Sequence, residues 1–108
     1  MAPAAILVLT SLPDAGAARE LARALLASRL AACIHIGSAV ESLYHWQGRL
    51  ETSTEVPLAI KTRADLFAAL TAAIRERHPY ELPEIVSVPI TDGLPRYLDW
   101  IAAETRPS

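Results

Sequence analysis

The chain has 108 residues, 52% of them hydrophobic, which fits a single domain over residues 1–108 with a core that needs no disulfide or structural metal. Its formal net charge is -2 and its basic residues are scattered, so we exclude a protein built to bind nucleic acid. Its one cysteine, Cys33, cannot form an internal disulfide, which fits a reducing compartment.

We expect a soluble, cytoplasmic protein with no membrane partner. The apolar run at residues 6–9 is short, follows no Lys or Arg and lies between Pro3 and Pro13, so it predicts a buried strand instead of a signal peptide. No apolar stretch approaches the roughly 20 residues that a membrane helix needs.

A strand and a helix are predicted first along the chain. Residues 4–12 are rich in Ile, Leu and Val and stop at Pro13, which predicts a strand. Asp14 can cap the helix that follows. Apolar residues spaced three and four apart then predict one buried stripe on a helix over 15–29.

A long β-hairpin comes next. Residues 31–36 predict a strand, residues 40–46 continue it after a Gly-Ser bend, and the chain turns at 47–48 and returns through 49–62. Pro57 lies in the returning arm and cannot donate to a ladder, so its position has to be unpaired, bulged or at an edge.

The second helix has a start signal and a stop signal. The spacing from Thr62 to Asp65 predicts a capping box at its start. We expect the helix to end at about Arg77, because Pro79 disfavours helical backbone at the residue before it.

The predicted order is β-α-β-β-α-β-α. Residues 84–90 form its last strand, and Pro95 begins a short closing helix. Helices on one face of a mainly antiparallel sheet give an α+β, ferredoxin-like split βαβ sandwich. The hairpin carries Tyr44 and Trp46 and leaves an unmatched edge, so we expect self-association; the alternative is that the last helix folds back over these aromatic residues.

The chain lacks the motifs of common catalytic and metal sites, namely glycine-rich phosphate loops, the GxSxG elbow, CxxC and HExxH. We therefore predict a protein that is not an enzyme. Cys33 and His35 are two apart on a strand, so their side chains share a face and suit Cu or Zn. The alternative, favoured by the small apolar run around Cys33, is a buried and inert thiol.

The loop RERHPYELPEI, residues 75–85, is rigid because of its two prolines and carries several polar side chains. His78 could ligate a metal together with Glu81 or Glu84. The alternative is that its ring packs on Pro79 or bonds a local carbonyl.

Charged residues of the hairpin have two interpretations. Lys61 follows an apolar run and is either an anion contact in a cleft or an ordinary lysine at the end of a strand. Glu41, Glu51 and Glu55 alternate with apolar residues and are explained by a solvated strand face.

The chain carries, in order, the motifs LAAC at 30–33, SLYHWQGRLE at 42–51, AIKT at 59–62, HPYELPEI at 78–85 and YLDW at 97–100. With these motifs, the chain from Ile6 to Trp100 resembles the CutA family, known as divalent-cation tolerance proteins. The resemblance implies a tight homotrimer with an architecture like that of the PII-type signal-transduction proteins, in which sheets pair edge to edge and clefts lie between subunits. It also implies binding of Cu(II) or another divalent cation and no established catalytic activity.

In some bacterial members of that family, copper is bound by a cysteine at the end of the first strand and two histidines before the Pro-Tyr. These positions fall on Thr10, Arg77 and His78 here. Only His78 keeps ligand chemistry, because Arg77 carries a fixed positive charge. His78 is therefore the metal-ligand candidate, and we expect weak copper binding.

Two functional hypotheses remain. The first is a cytoplasmic, trimeric divalent metal-ion (copper) binding and tolerance protein. The alternative is a PII-like sensor or scaffold that binds an anion or nucleotide near Lys61 and Arg77 and has no physiological metal role. The residues that we expect to line the ligand cleft are Lys61, Arg77, Tyr80, Glu81 and Trp46.

Overall fold

The computed structural model describes residues 4–107, which form five strands, three α-helices and one 3-10 turn. Along the chain these are β1 (Ala5–Leu12), α1 (Ala15–Ala27), β2 (Cys33–Ile36), β3 (Val40–Trp46), β4 (Arg49–Arg63), the 3-10 turn (Ala64–Leu66), α2 (Phe67–Arg77), β5 (Val86–Pro89) and α3 (Pro95–Ala103). The predicted α+β class and order are confirmed, with the predicted second strand divided into β2 and β3. No helix within residues 4–107 is long and apolar enough to cross a membrane.

The strands form one antiparallel sheet in the order β2-β4-β1-β5, and β3 extends the β2 side by pairing with the other half of β4. Because β1 ends opposite Val56 while β4 begins at Arg49, the β3–β4 hairpin continues beyond the body of the sheet. The resulting shape is elongated, 47 × 26 × 23 Å.

The hairpin geometry follows from its turn and its proline. Gln47 and Gly48 both have positive φ, 50° and 77°, as a two-residue type I′ turn requires. The carbonyl of Pro57 accepts from the Gly37 N–H at 2.9 Å, in the gap between β2 and β3. The nitrogen of Pro57 points to the same side as its carbonyl, toward the gap between β2 and β3. No strand residue there needs a backbone donor, so Pro57 occupies an unpaired position, as predicted. A Cβ on Gly37 would lie 2.9 Å from Cγ of Pro57, which explains a glycine here.

One face of the sheet forms the main core. Alternate residues of β1 and β4 point to α1 and α2, and the buried cluster includes Val8, Ile60, Leu70 and Ile74. The opposite face, which we call the open face, carries the other alternate residues and is covered in part by α3 through the buried Ile101.

The two helix starts differ from each other. Asp14 accepts from the Ala17 N–H at 2.8 Å and caps α1 as predicted. The predicted capping box at Thr62 is wrong, because its hydroxyl donates to the carbonyl of Leu30 at 2.7 Å. Arg63 takes the cap position, and its side chain makes no capping hydrogen bond. The Thr62 hydroxyl therefore bonds a residue distant in the sequence instead of capping the helix that follows it.

Two predicted boundaries also move. α1 ends at Ala27 instead of residue 29, because Arg29 has φ 60° and the N–H of Leu30 donates back to Leu25 in a Schellman turn. β5 covers only Val86–Pro89, shorter than the predicted 84–90.

Candidate functional site

An open groove of about 970 Å³ lies between the β3–β4 hairpin and the loop that follows α2. The loop, residues 79–84, packs where β1 has ended and the hairpin continues alone. The groove is lined by Ser42, Leu43, Tyr44, His45, Trp46, Ser53, Glu55, Pro79, Tyr80, Glu81, Leu82, Pro83 and Glu84.

The groove is acidic and aromatic. Glu55, Glu81 and Glu84 contribute three carboxylates, and neither Lys nor Arg is among its lining residues within the described range 4–107. Tyr44, Trp46 and Tyr80 contribute the aromatic rings. Negative charge and ring faces both attract cations, so the groove is suited to a cation and repels an anion.

Tyr80 joins the two walls of the groove. Burial raises the pKa of its phenol, and the charge of Glu55 together with a hydrogen bond to the Glu55 carboxylate raises it further. The Tyr80 hydroxyl on the loop therefore stays protonated beside the Glu55 carboxylate on the hairpin.

His78 fixes the corner at which the loop begins. Its Nε2 lies 2.6 Å from the carbonyl oxygen of Ser11, and its Nδ1 accepts from the Tyr80 N–H at 3.1 Å. Ser11 lies opposite Pro57 on one side, and on its other side β5 has already ended. Its carbonyl therefore has no strand partner within residues 4–107, and the imidazole N–H of His78 donates a hydrogen bond to it instead. Of the two sequence interpretations, the structure favours the ring that bonds a backbone carbonyl.

These hydrogen bonds argue against His78 as a metal ligand, because a metal would have to displace one of them. The two other positions of the family's copper site offer nothing in its place. Thr10 is buried in the core and Arg77 is exposed at the end of α2. Within residues 4–107, no group of three or more His, Cys, Asp and Glu side chains is arranged to hold a metal ion.

The five predicted cleft residues do not form one site. Trp46, Tyr80 and Glu81 meet in the groove, but Lys61 and Arg77 do not line it. Arg77 lines a separate shallow pocket between α1 and α2. Within one chain, Lys61 and Arg77 therefore lie on surfaces other than the groove, and the cleft expected between subunits stays a prediction.

Lys61 instead belongs to a cluster on the open face. Its Nζ lies 3.2 Å from the hydroxyl of Tyr97 and 5.2 Å from the centre of the Tyr97 ring. Trp100 stacks on that ring at 5.5 Å between centroids. The ammonium of Lys61 is therefore bonded to α3. The sequence offered two interpretations, an anion contact in a cleft and an ordinary lysine at the end of a strand, and this contact with α3 matches neither of them.

Cys33 and His35 also lie on the open face, where their side chains meet with Sγ and Nε2 3.9 Å apart. Cys33 is half-buried and His35 is exposed. The expectation of a buried thiol is wrong to the extent that Cys33 is only half-buried, because β2 lies at the edge of the sheet.

Most groove residues were not among the predicted cleft residues, and two of these, Tyr44 and Glu55, could have been found from the sequence. The signal was the hairpin register, in which Ser42 pairs with Ser53, Tyr44 with Glu51 and Val40 with Glu55. Glu55 therefore lies on the same face of the hairpin as Tyr44 and Trp46, and counting back from the turn at residues 47–48 would have found it.

Comparison with known proteins agrees with this fold and these motifs. Residues 6–104 match the family model described as CutA1 divalent ion tolerance protein. The chain is 39% identical over 103 residues to "Protein CutA 1, chloroplastic" of Oryza sativa, covering 95% of this chain and 58% of that protein. It is also 39% identical over 104 residues to the "Divalent-cation tolerance protein CutA" of Citrobacter koseri, covering 96% and 90%.

Solved structures give the same result. The crystal structure of CutA1 from Oryza sativa has a TM-score of 0.96 at 37% identity, covering 99% of this chain and 98% of that one. The structure described as the periplasmic divalent cation tolerance protein CutA from Archaeoglobus fulgidus has a TM-score of 0.90 at 33% identity, covering 93% and 97%. Although the chain spans between half and three fifths of the plant and animal relatives it matches, its whole fold is shared with these structures. The chain therefore belongs to the CutA1 divalent ion tolerance protein family.

Proposed function

We propose that this protein binds divalent cations in the acidic groove and acts in metal tolerance without a catalytic role. Its family is named for divalent ion tolerance, and the bacterial relative that it matches over 90% of that relative's length carries the same name. The observation that carries the proposal is the charge of the groove, where three glutamates line one surface and no cationic side chain within residues 4–107 opposes them.

This charge supports the first of the two hypotheses from the sequence. An anion or nucleotide needs cationic or N–H donors, and the two residues predicted to supply them, Lys61 and Arg77, lie outside the groove. Carboxylate oxygens instead suit divalent ions. We therefore favour the cation over the PII-like anion sensor.

We further infer that the protein acts as a homotrimer. The outer edges of β5 and of β2–β3 have no strand partner within residues 4–107, and large apolar side chains are exposed along them. Leu43 is 61% exposed and Leu50 is 68% exposed, both on the hairpin, and Val86 and Val88 on β5 are nearly half exposed. Assembly would cover such edges.

A trimer is also consistent with weak binding by one chain. No closed ligand set exists within residues 4–107 of one subunit, so a neighbouring subunit or water would complete the coordination. Light scattering at micromolar protein should give three times the 11.7 kDa chain mass. A uniform monomer would contradict this part of the proposal.

The compartment differs among relatives by their own names, since the rice protein is called chloroplastic and the Archaeoglobus protein periplasmic. For this chain, the cytoplasmic location stays a prediction. Copper is likewise proposed as the first metal to test. We expect this chain to bind it more weakly than family members that have a cysteine at the position of Thr10 and a histidine at the position of Arg77.

The test is calorimetric titration of the purified protein with Cu(II), Zn(II) and ATP. Wild type should bind a divalent ion and not ATP, and Glu55→Gln and Glu81→Gln should each weaken metal binding. Glu41→Gln is the matched control, because Glu41 is an exposed glutamate of the same hairpin that does not line the groove. Tight binding of ATP, or metal binding that none of these variants changes, would refute the proposal.

A further inference from the structure

We propose that Cys33 and His35 form a second metal site, on the open face of the sheet, that takes a thiophilic ion such as Cd(II) or Zn(II). The site does not depend on the acidic groove, which offers carboxylate oxygens from a different part of the chain. A sulfur and an imidazole nitrogen select softer metals than carboxylates do. The two sites therefore differ in position and in the ion that they prefer.

The geometry of the pair is close to what one metal ion requires. Cys33 Sγ and His35 Nε2 are 3.9 Å apart. With Zn–S of about 2.3 Å and Zn–N of about 2.05 Å, two ligands at the tetrahedral angle are about 3.6 Å apart. The side chains would have to approach by only about 0.3 Å, which a small change in a χ angle allows.

The strand holds the two residues in place. β2 pairs with β4 residue by residue, with Cys33 opposite Lys61 and His35 opposite Ala59. Residues two apart on a strand point to the same face, so the pair is set by the backbone before any metal binds. The small side chain of Ala59 leaves His35 exposed, and Cys33 is only half-buried, so an ion can reach both.

The lysine beside the pair is engaged by α3. Lys61 lies directly across from Cys33 in the strand register, and its Nζ lies 3.2 Å from the hydroxyl of Tyr97. Metal ions bind the thiolate form of cysteine, so binding at this pair releases the thiol proton.

Two protein ligands leave two tetrahedral positions for water or another donor. We therefore expect binding that is weaker than in a site with four protein ligands and that needs both residues. Loss of either one should lower the affinity at least about tenfold, since changes in the outer shell alone cost that much.

The test is a Cd(II) titration of the whole protein, followed by the ultraviolet charge-transfer absorption of a cadmium–thiolate bond. Wild type should give a band that saturates at one ion per chain. Cys33→Ser should abolish the band, and His35→Asn should shift its midpoint at least about tenfold to higher Cd(II). Glu41→Gln is the control, an exposed residue of the hairpin that belongs neither to this pair nor to the groove, and it should leave the band and its midpoint unchanged.

A second measurement uses unmodified protein, so it does not depend on the folding of a variant. Cd(II) should protect Cys33 from alkylation by iodoacetamide, and Glu81→Gln should leave this protection intact even if it removes metal from the groove. An absent band in wild type, or a midpoint that His35→Asn does not move, would overturn the proposal. If Glu55→Gln and Glu81→Gln lose copper binding but keep the Cd(II) band, the groove and the Cys33–His35 pair are separate sites, as proposed.

Discussion

Replacing His78 tests whether the proline-rich corner is built by hydrogen bonds or by a metal. His78→Ala removes the donor to the carbonyl of Ser11 and the acceptor for the N–H of Tyr80, and both hydrogen bonds are part-buried. A buried polar group that loses its partner costs about 1–3 kcal/mol. Because the two groups here are only part-buried, we expect the lower end of this range for each, so the free energy of unfolding should fall by about 2 kcal/mol or more.

The assay is thermal unfolding followed by tryptophan fluorescence, with the protein concentration held constant because assembly shifts the apparent Tm. At roughly 4–8 °C per kcal/mol, Tm should fall by about 8 °C or more in His78→Ala. His45→Ala, which removes an exposed histidine, should change the stability by less than about 0.5 kcal/mol. An unchanged Tm in His78→Ala, together with lost copper binding, would show that the histidine is a ligand and refute the structural role.

Three further predictions follow from single contacts. The pKa of Tyr80 is higher in the folded protein than in the unfolded chain, so the unfolded chain releases the phenol proton first as pH rises. The free energy of unfolding should therefore fall as pH rises above 10, and Tyr80→Phe should remove that part of the fall. Asp65→Asn should destabilise the protein by about 1–3 kcal/mol, measured by urea unfolding, because it weakens the two-point contact to the buried guanidinium of Arg63. Gly37→Ala should lower Tm, because its methyl group would lie 2.9 Å from the ring of Pro57.

Each of these has a control. Tyr97→Phe, which removes a tyrosine hydroxyl outside the groove, should keep the alkaline loss of stability that Tyr80→Phe removes. Glu104→Gln breaks the exposed 3.7 Å ion pair with Arg29 and should cost less than about 1 kcal/mol, so an equal effect in Asp65→Asn would contradict its argument. Adding Pro57→Ala to Gly37→Ala should recover part of the lost Tm; no recovery would mean that the contact is not the cause.

The sequence predicts most of the fold because the signals for its elements are local. Asp14 sits where a cap is needed, and Pro79 ends α2 at Arg77. The turn at 47–48 sets the hairpin register. Each of these depends on neighbours along the chain, and each is confirmed.

The predictions that failed depend on contacts between distant residues. Thr62 bonds Leu30 across the sheet instead of capping its own helix. Cys33 is half-buried because β2 lies at the edge of the sheet, and Lys61 meets Tyr97 of α3. No local pattern fixes where a closing helix lies, so the sequence grouped Lys61 with a loop that it does not touch.

The most direct test of the groove as a cation site is a crystal structure of the protein grown with Cu(II), with anomalous diffraction recorded at the copper edge. We expect a peak in the groove, within coordination distance of at least one carboxylate of Glu55, Glu81 or Glu84. Copper found only outside the groove, or an anion bound among these three glutamates, would contradict the account.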